Sequence, residues 1–282
     1  MISVSQLCSY IYCKRKFFIN YVLGVRLELP KSVAIGTVRH EVYNLINREE
    51  QRIVSSIIRP MTVEEIYEIY KKAHLNMLRK AIVIHKTDLK KRGVELSKVF
   101  EEIWPGLMKE TLLRAGRLYD FIKANEVYGT DLWEMLEPKV KAEISINSKE
   151  LGLKGKIDEL EFFKDGCVPV ELKTGKCPEE GVWLNHKIQV AAYCMLVEKQ
   201  FNCRVNSGIV YYLDYGVRRT VVMNSYLRSE VKELIQKIKL SLNSKEIPRL
   251  KITNKCDNCE LRQICHNKVS IDKLMEKITS KQ

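Results

Sequence analysis

The run Val168-Pro169-Val170-Glu171-Leu172-Lys173-Thr174-Gly175-Lys176 constrains this chain more than any other stretch. It reads as a short buried strand ending in a turn. Side chains alternate between the faces of a strand, so Glu171 and Lys173 share one face while Leu172 turns the other way, into the core. Charges on a buried face are tolerated when they are paired or bind a metal. The competing reading is a surface turn with a Glu–Lys pair of little energetic weight. The surrounding sequence decides between the two.

The approach to this strand is also β. Val140, Ala142, Ile144 and Ile146 alternate with Lys141, Glu143, Ser145 and Asn147, the period-two pattern of a half-buried strand. A second strand follows over 151–160, with Asp158 close to its end. Asp165-Gly166 is a strong hairpin signal. The hairpin lays Asp158 and Glu171 on neighbouring antiparallel strands. Further on, a helix is expected from about Asn185 to Lys199, with Gln189 and Tyr193 four apart on one face. Residues 210–213 and 218–223 read as strands around an Asp214-Tyr215-Gly216 turn, and 229–241 as a final amphipathic helix. Strands interleaved with helices predict a mixed α/β fold.

The remainder is helical in pattern. Residues 1–24 read as one short amphipathic helix, capped by Ser3 or Ser5, with Leu7, Tyr10, Ile11, Phe17 and Phe18 inward. A second helix starts near Thr37. Its Val38, Val42 and Leu45 face the core, His40 lies beside them, and Gly36 admits another backbone. A lone helical His is more often packed or solvated than a ligand. Residues 60–137 form a long helical section that opens on the capping box Thr62-Val63-Glu64-Glu65 and the stripe Ile66, Ile69, Ala73, Met77. A charged break is expected at 86–92, and an interruption at Trp104-Pro105-Gly106 within a helix over about 97–125. His74 and His85 read as exposed, and no chemical constellation stands out there. The chain divides into segments 1–59, 60–137, 138–245 and 246–282.

Lysines and arginines number 48 against 35 acidic residues, a net charge of +13. That favours a polyanionic partner, nucleic acid above all, although proteins of lysine-rich proteomes are also basic. A hydrophobic content of 45% excludes a disordered composition. Charges interrupt every apolar stretch, so no membrane span is expected. Met1-Ile2-Ser3-Val4-Ser5 lacks a basic region before an apolar one, so a cytoplasmic protein is expected. Nine cysteines without an export signal argue for free or metal-bound thiols rather than a disulfide framework. Cys256, Cys259 and Cys265 form a Cys-x2-Cys-x5-Cys run spaced for a metal centre. Soft thiolates select zinc or an iron–sulfur cluster. A fourth ligand is needed: Cys13, in the basic run Tyr12-Cys13-Lys14-Arg15-Lys16, is the first candidate and Cys8 the second, while His266 would have to fold back sharply; the competing reading is coincidental cysteines in a reducing compartment. Tyr12, Phe17 and Tyr193 are candidates for stacking on bases, with core packing the better reading of Phe17.

Taken in order, His40, Asp158, Glu171-Leu172-Lys173 and Gln189-x3-Tyr193 resemble the motifs of RecB-like nucleases of the PD-(D/E)XK superfamily. Cys13 with its basic neighbours and the Cys-x2-Cys-x5-Cys run look like those of the CRISPR-associated exonucleases of the fourth Cas family. The resemblance covers roughly residues 1–50 and 138–268 and leaves 60–137 unassigned. Lys14 departs from it, since the family usually has Pro after the first cysteine. The absence of a Gly-x4-Gly-Lys-Ser/Thr loop separates the chain from iron–sulfur helicase-nucleases. The resemblance implies a restriction-endonuclease-like α/β core, a mixed central sheet flanked by helices, with a helical insertion and a C-terminal iron–sulfur segment. It implies that His40, Asp158, Glu171 and the Leu172 carbonyl hold Mn²⁺ or Mg²⁺. Lys173 would orient or deprotonate water, or neutralise charge on the phosphate, while Gln189 and Tyr193 position the strand or the lysine. Cys13, Cys256, Cys259 and Cys265 would hold a 4Fe–4S cluster, with a 2Fe–2S cluster or zinc as other occupants. The activity implied is a DNA exonuclease on single strands or single-stranded ends, 5′ to 3′, processing spacer precursors in CRISPR adaptation beside the CRISPR integrase complex. Homo-oligomerisation stays open. Two other readings remain at this point. One is a stand-alone or virus-encoded nuclease of recombination or repair; the other is a non-catalytic iron–sulfur DNA-binding subunit.

Overall fold

The computed structural model describes residues 1–28, 30–244 and 246–279. The last residue of the expected 138–245 segment and the last three of 246–282 lie outside the described residues. The N-terminus is a two-residue strand β1 (Ile2–Ser3) followed by α1 (Val4–Tyr12) and α2 (Lys14–Tyr21). The single helix expected over 1–24 is therefore broken, and the break falls at Cys13. Ser3 caps α1 in a capping box with Gln6. Cys13 has extended backbone, and its sulfur accepts the Lys16 amide as the cap of α2. A capping residue cannot itself be helical, which forces the chain to turn there.

Helices α3 (Lys31–Ser55), α4 (Val63–Ile84), α5 (Lys86–Lys91), α6 (Leu96–Asn125) and α7 (Gly129–Met135) follow. The capping box at Thr62 and Glu65 is present. Two expectations fail here. The charged break at 86–92 is largely the short helix α5, anchored by buried Leu89. The interruption at Pro105 does not occur, and α6 runs straight through it. Pro105 removes one backbone hydrogen bond, but Ile103 and Leu107 are buried on either side of it, and tertiary packing outweighs local propensity. His74, expected exposed, is fully buried, with Nδ1 2.8 Å from Thr111 Oγ1. Its neighbours Ala73 and Leu78 belong to the buried stripe, and the stripe is wide enough to include it. His85 is half-buried where α4 meets α5, and its Nε2 has no hydrogen-bond partner.

The sheet begins with β2 (Lys139–Ser148), β3 (Leu153–Phe163) and β4 (Gly166–Lys173). Helix α8 (Leu184–Phe201) leads to β5 (Ser207–Tyr212) and β6 (Val217–Val222). The described strands form one mixed sheet in the order β1-β3-β4-β5-β6, with β2 along the other edge of β3. Pairings β1/β3 and β4/β5 are parallel; β2/β3, β3/β4 and β5/β6 are antiparallel. After α9 (Ser225–Leu242) comes a 3-10 turn at Asn254–Cys256, then α10 (Arg262–His266) and α11 (Lys268–Thr279).

Helices α1, α8 and α9 cover one face of the sheet, where Leu7, Ile157, Ile188, Ala191 and Val231 share a core. Helices α3, α4 and α6 cover the other, where Val38, Leu78 and Ile103 meet Val170 and Leu172. Leu172 thus points into the core away from Glu171 and Lys173, as alternation requires.

Strand β3 is irregular at Asp158. Ile157 and Leu160 lie three apart yet both enter the α8-side core, whereas strict alternation would separate them. The phase changes at Asp158. On the same edge of β3, residues 153–154 pair with β1 and 159–163 with β4. Asp158 falls in the gap between those pairings. It is mid-strand rather than near the strand's end, because the hairpin turn is tight and Phe163 already faces Gly166.

Candidate active site

The opposed register of β3 and β4 carries Asp158 to Glu171, one step past the Glu159–Val170 pair. The two strands part there. The Leu172 N–H, which a regular ladder would give to β3 backbone, donates instead to Asp158 Oδ2 at 2.9 Å. His40, on α3, reaches the other oxygen, with Nδ1 3.3 Å from Asp158 Oδ1. Burial would lower the His40 imidazole, but the hydrogen bond and charge of Asp158 outweigh it and carry the imidazole above its ordinary range. Burial would likewise raise the Asp158 carboxyl, yet His40, the Leu172 amide and Lys173 bring it below.

Glu171 is 5% exposed. Its Oε1 accepts from Lys173 Nζ at 2.7 Å and from Gln189 Nε2 at 2.6 Å. Gln189 Oε1 in turn accepts from Lys173 Nζ at 2.8 Å. Acid, base and amide close a three-membered ring of hydrogen bonds. Burial and then the neighbouring Asp158 charge push the Glu171 carboxyl upward, against the pull of Lys173. Burial would discharge Lys173, but Glu171 overrides it and holds the ammonium protonated, above its ordinary range.

Tyr193 is buried, and its hydroxyl donates to the Lys156 carbonyl at 2.8 Å and meets Gln189 Nε2 at 3.4 Å. It is a support under Gln189 and not a stacking platform. Phe17 is likewise fully buried, while Tyr12 stays 36% exposed. Gly36 brings α3 against the turn after Lys173, although the group it admits is a side chain. A Cβ there would lie 3.1 Å from Thr174 Oγ1. Asp214 ties the same turn down by accepting from Arg39 and from the Gly175 amide.

A divalent cation fits this chemistry. Glu171 Oε2 is buried and has no hydrogen-bond partner, and an imidazole nitrogen is aimed at a second carboxylate. Hard oxygen donors with one imidazole suit Mg²⁺ or Mn²⁺. Among the described residues no three His, Cys, Asp or Glu side chains stand together as a ready-made cage. The oxygens of Asp158 are turned to His40 and the Leu172 amide.

The cysteine group lies at the other end of α1, and among the described residues it too is not drawn into a ready-made metal site. Cys13, Cys256, Cys259 and Cys265 line one cavity of about 450 Å³, together with His266. His266 therefore reaches the cavity despite adjoining Cys265, and its Nε2 is buried without a partner. Cys8, the second choice for fourth ligand, is elsewhere. Its thiol lies 3.6 Å from the Asn185 carbonyl, and the charges of Lys173 and Glu171 act on it. Cys8 lies inside α1, whereas Cys13 follows its end with extended backbone and lines the cavity of the C-terminal cysteines. Four thiols around one cavity suit a soft metal or an iron–sulfur cluster. Contacts other than ligands already join the ends: Arg15 donates to the Pro248 and Cys265 carbonyls, and Lys16 pairs with Glu260 at 2.7 Å.

The constellation that the sequence of 60–137 does not reveal lies behind the sheet. Arg114 on α6 donates to Glu50 at 2.7 Å, Glu110 at 2.8 Å and Asn47 Oδ1 at 2.8 Å. Asn47 then donates to Glu159 at 2.6 Å, and Tyr211 donates to Glu110 at 2.7 Å. His40 and Asn47, two turns apart on α3, thus hold consecutive residues of β3. His186, one turn before Gln189, sits 3.1 Å from the Tyr212 hydroxyl; burial and then the Lys173 charge push its imidazole down to about 4. Only the i, i+3 spacing to Gln189 could have flagged it.

Residues 1–266 match the PD-(D/E)XK nuclease superfamily, and the chain belongs to it. Within the superfamily it is similar to a CRISPR-associated exonuclease Cas4 of Rhodospirillum rubrum. The two are 30% identical over 126 residues, 43% of this chain and 37% of that protein. A CRISPR-associated exonuclease Cas4/endonuclease Cas1 fusion of that organism is also 30% identical over 126 residues, 43% of this chain and 21% of the fusion. A CRISPR-associated exonuclease Cas4 of Thermoproteus tenax is 24% identical over 135 residues, 48% of this chain and 70% of that protein. No helix among the described residues is long and apolar enough to cross a membrane.

Proposed function

We propose that this protein is a metal-dependent DNA exonuclease that degrades single strands or single-stranded ends from the 5′ side and trims spacer precursors in CRISPR adaptation. The observation that carries the reading is the meeting of Asp158, Glu171, Lys173 and Gln189 where β3 and β4 part, with Glu171 Oε2 buried and unpartnered. The names of the relatives support the CRISPR setting, and the R. rubrum fusion supports the CRISPR integrase as partner.

In this reading His40, Asp158, Glu171 and the Leu172 carbonyl hold Mn²⁺ or Mg²⁺. When bound, the ion supplies Lewis-acid polarisation of the scissile phosphate and a lowered pKa for attacking water. Lys173, hydrogen-bonded to Glu171 and Gln189, would orient or deprotonate the attacking water or neutralise negative charge on the phosphate. Gln189 fixes Lys173 and Glu171 relative to each other, and Tyr193 fixes Gln189. Cys13, Cys256, Cys259 and Cys265 hold a 4Fe–4S cluster that fastens α1 and α2 to the C-terminal segment. A brown protein with visible absorbance meets that expectation; a colourless one with stoichiometric zinc does not.

The test uses single strands labelled at the 5′ or the 3′ end, with and without Mn²⁺. Wild type should shorten them from the 5′ end only with metal. Glu171→Ala and Lys173→Ala should lose about a thousand-fold or more in rate with circular dichroism unchanged. A Glu171→Ala protein that still degrades DNA with Mn²⁺ at near the wild-type rate would sink the reading.

A further inference from the structure

Of the cysteines outside the cavity, two face each other. Cys167 at the start of β4 and Cys203, just after α8, have sulfurs 4.0 Å apart. Both are free thiols. Cys167 is 8% exposed, and Cys203 is half-buried and the more accessible of the two. Cys194 is also near, but its side chain is fully buried, and its sulfur would lie 3.0 Å from a Cβ at Gly208. It is wedged between α8 and β5 and closed to reagents. A pair with one reachable sulfur and one sheltered sulfur is arranged for stepwise oxidation.

We propose that Cys167 and Cys203 form a dithiol modification site that takes a small-molecule disulfide such as oxidised glutathione and closes into an intramolecular disulfide. The Cys203 thiolate attacks the reagent's S–S bond, forming a mixed disulfide and releasing one reagent thiolate. The Cys167 sulfur, giving its proton to solvent, then attacks the Cys203 sulfur and releases the second. The two protein thiols lose two electrons and two protons, and the reagent disulfide becomes two thiols. Cys203 acts first because it is the more exposed of the two cysteines; burial and then the adjoining Cys203 also push the Cys167 thiol up to about 12.

The placement gives the bond a consequence. The ring it closes runs from residue 167 to residue 203 and contains Glu171, Lys173, Gln189 and Tyr193. It fastens the first residues of β4 to the end of α8, the two elements that supply the acid–base–amide ring. Cross-linking of that span restricts the unfolded chain and acts away from Lys173, at the far end of β4, and Gln189, in the second turn of α8.

The protein as purified is equilibrated with oxidised glutathione, capped with iodoacetamide and digested without reduction for mass spectrometry. The expected species is a peptide pair joined through Cys167 and Cys203. A melting temperature higher by on the order of 5 °C accompanies it, and both are reversed by dithiothreitol. Cys203→Ser, on an irregular segment where the change is mild, should lose the cross-link and the shift together. Peptide mapping separates this pair from oxidation at Cys13, Cys256, Cys259 and Cys265. Glutathione left on Cys203 beside an alkylated Cys167 would overturn the proposal, as would both thiols alkylated, a cross-link to Cys194, or a cross-link without the shift.

Discussion

At the scale of single residues, the site depends on a glycine as much as on its charged groups. A Cβ at Gly155 would stand 2.7 Å from Tyr193 Cε1 and 3.0 Å from Val4 Cγ2. Tyr193 cannot swing aside without giving up its bond to the Lys156 carbonyl. Gly155→Ala is therefore expected to cost about 1–3 kcal/mol in urea unfolding and to slow nuclease turnover by displacing the support of Gln189. Unchanged turnover in that variant would show that Tyr193 has no part in placing Gln189. The pairing of Glu171 with Lys173 was legible in the sequence, because alternation along a strand is a local rule. The burial of Tyr193 was not, since it depends on a glycine nearly forty positions away.

Between elements, buried charge fastens the insertion helices to the sheet. Arg114 serves Glu50, Glu110 and Asn47 at once, and Glu159 receives Asn47. Burial pushes the Glu159 carboxyl up to about 7, against the Arg114 charge. Arg114→Met leaves the glutamates without their cation and should cost about 3–5 kcal/mol of stability. Adding Glu110→Gln should restore part of it, and equal loss in the single and double variants would count against the network. His74 gives a second expectation. Burial and then the Arg114 charge push its imidazole from the ordinary 6.5 down to about 3. Above pH 6.5 both folded and unfolded forms are neutral and its stabilising contribution is complete. As pH falls from there, only the unfolded chain takes the proton, so stability drops by about 1.4 kcal/mol per pH unit from this group. Urea unfolding at pH 7, 6 and 5 should show that slope lessened by a similar amount in His74→Gln. The helices of 60–137 were legible as helices, but their polar network was not, because Arg114, Asn47 and Glu159 are far apart in sequence and look like ordinary surface residues.

For the whole molecule, the charge of +13 predicts DNA binding that weakens steeply with salt. The logarithm of affinity for a single strand should fall linearly with the logarithm of salt concentration, by about 0.7 per phosphate contacted. A slope shallower than one contact would mean that the basic surface does not hold the strand. Helix α2 packs on the C-terminal segment, where Ile19 shares a small core with Leu261, just before α10, and Ile271 of α11. Sequence alone determined the α/β class, the β3–β4 hairpin and the same-face Glu171 and Lys173. It also gave the order of the site motifs and the short spacing of Cys256, Cys259 and Cys265. All of these follow from periodicity and turn chemistry within a few residues. Only the tertiary structure decided the phase change at Asp158, the passage of α6 through Pro105, the burial of His74 and the placing of Cys13 rather than Cys8 beside the other cysteines. Each of these is set by packing partners far off in the chain, and burial against such partners outweighs any local preference a sequence window contains.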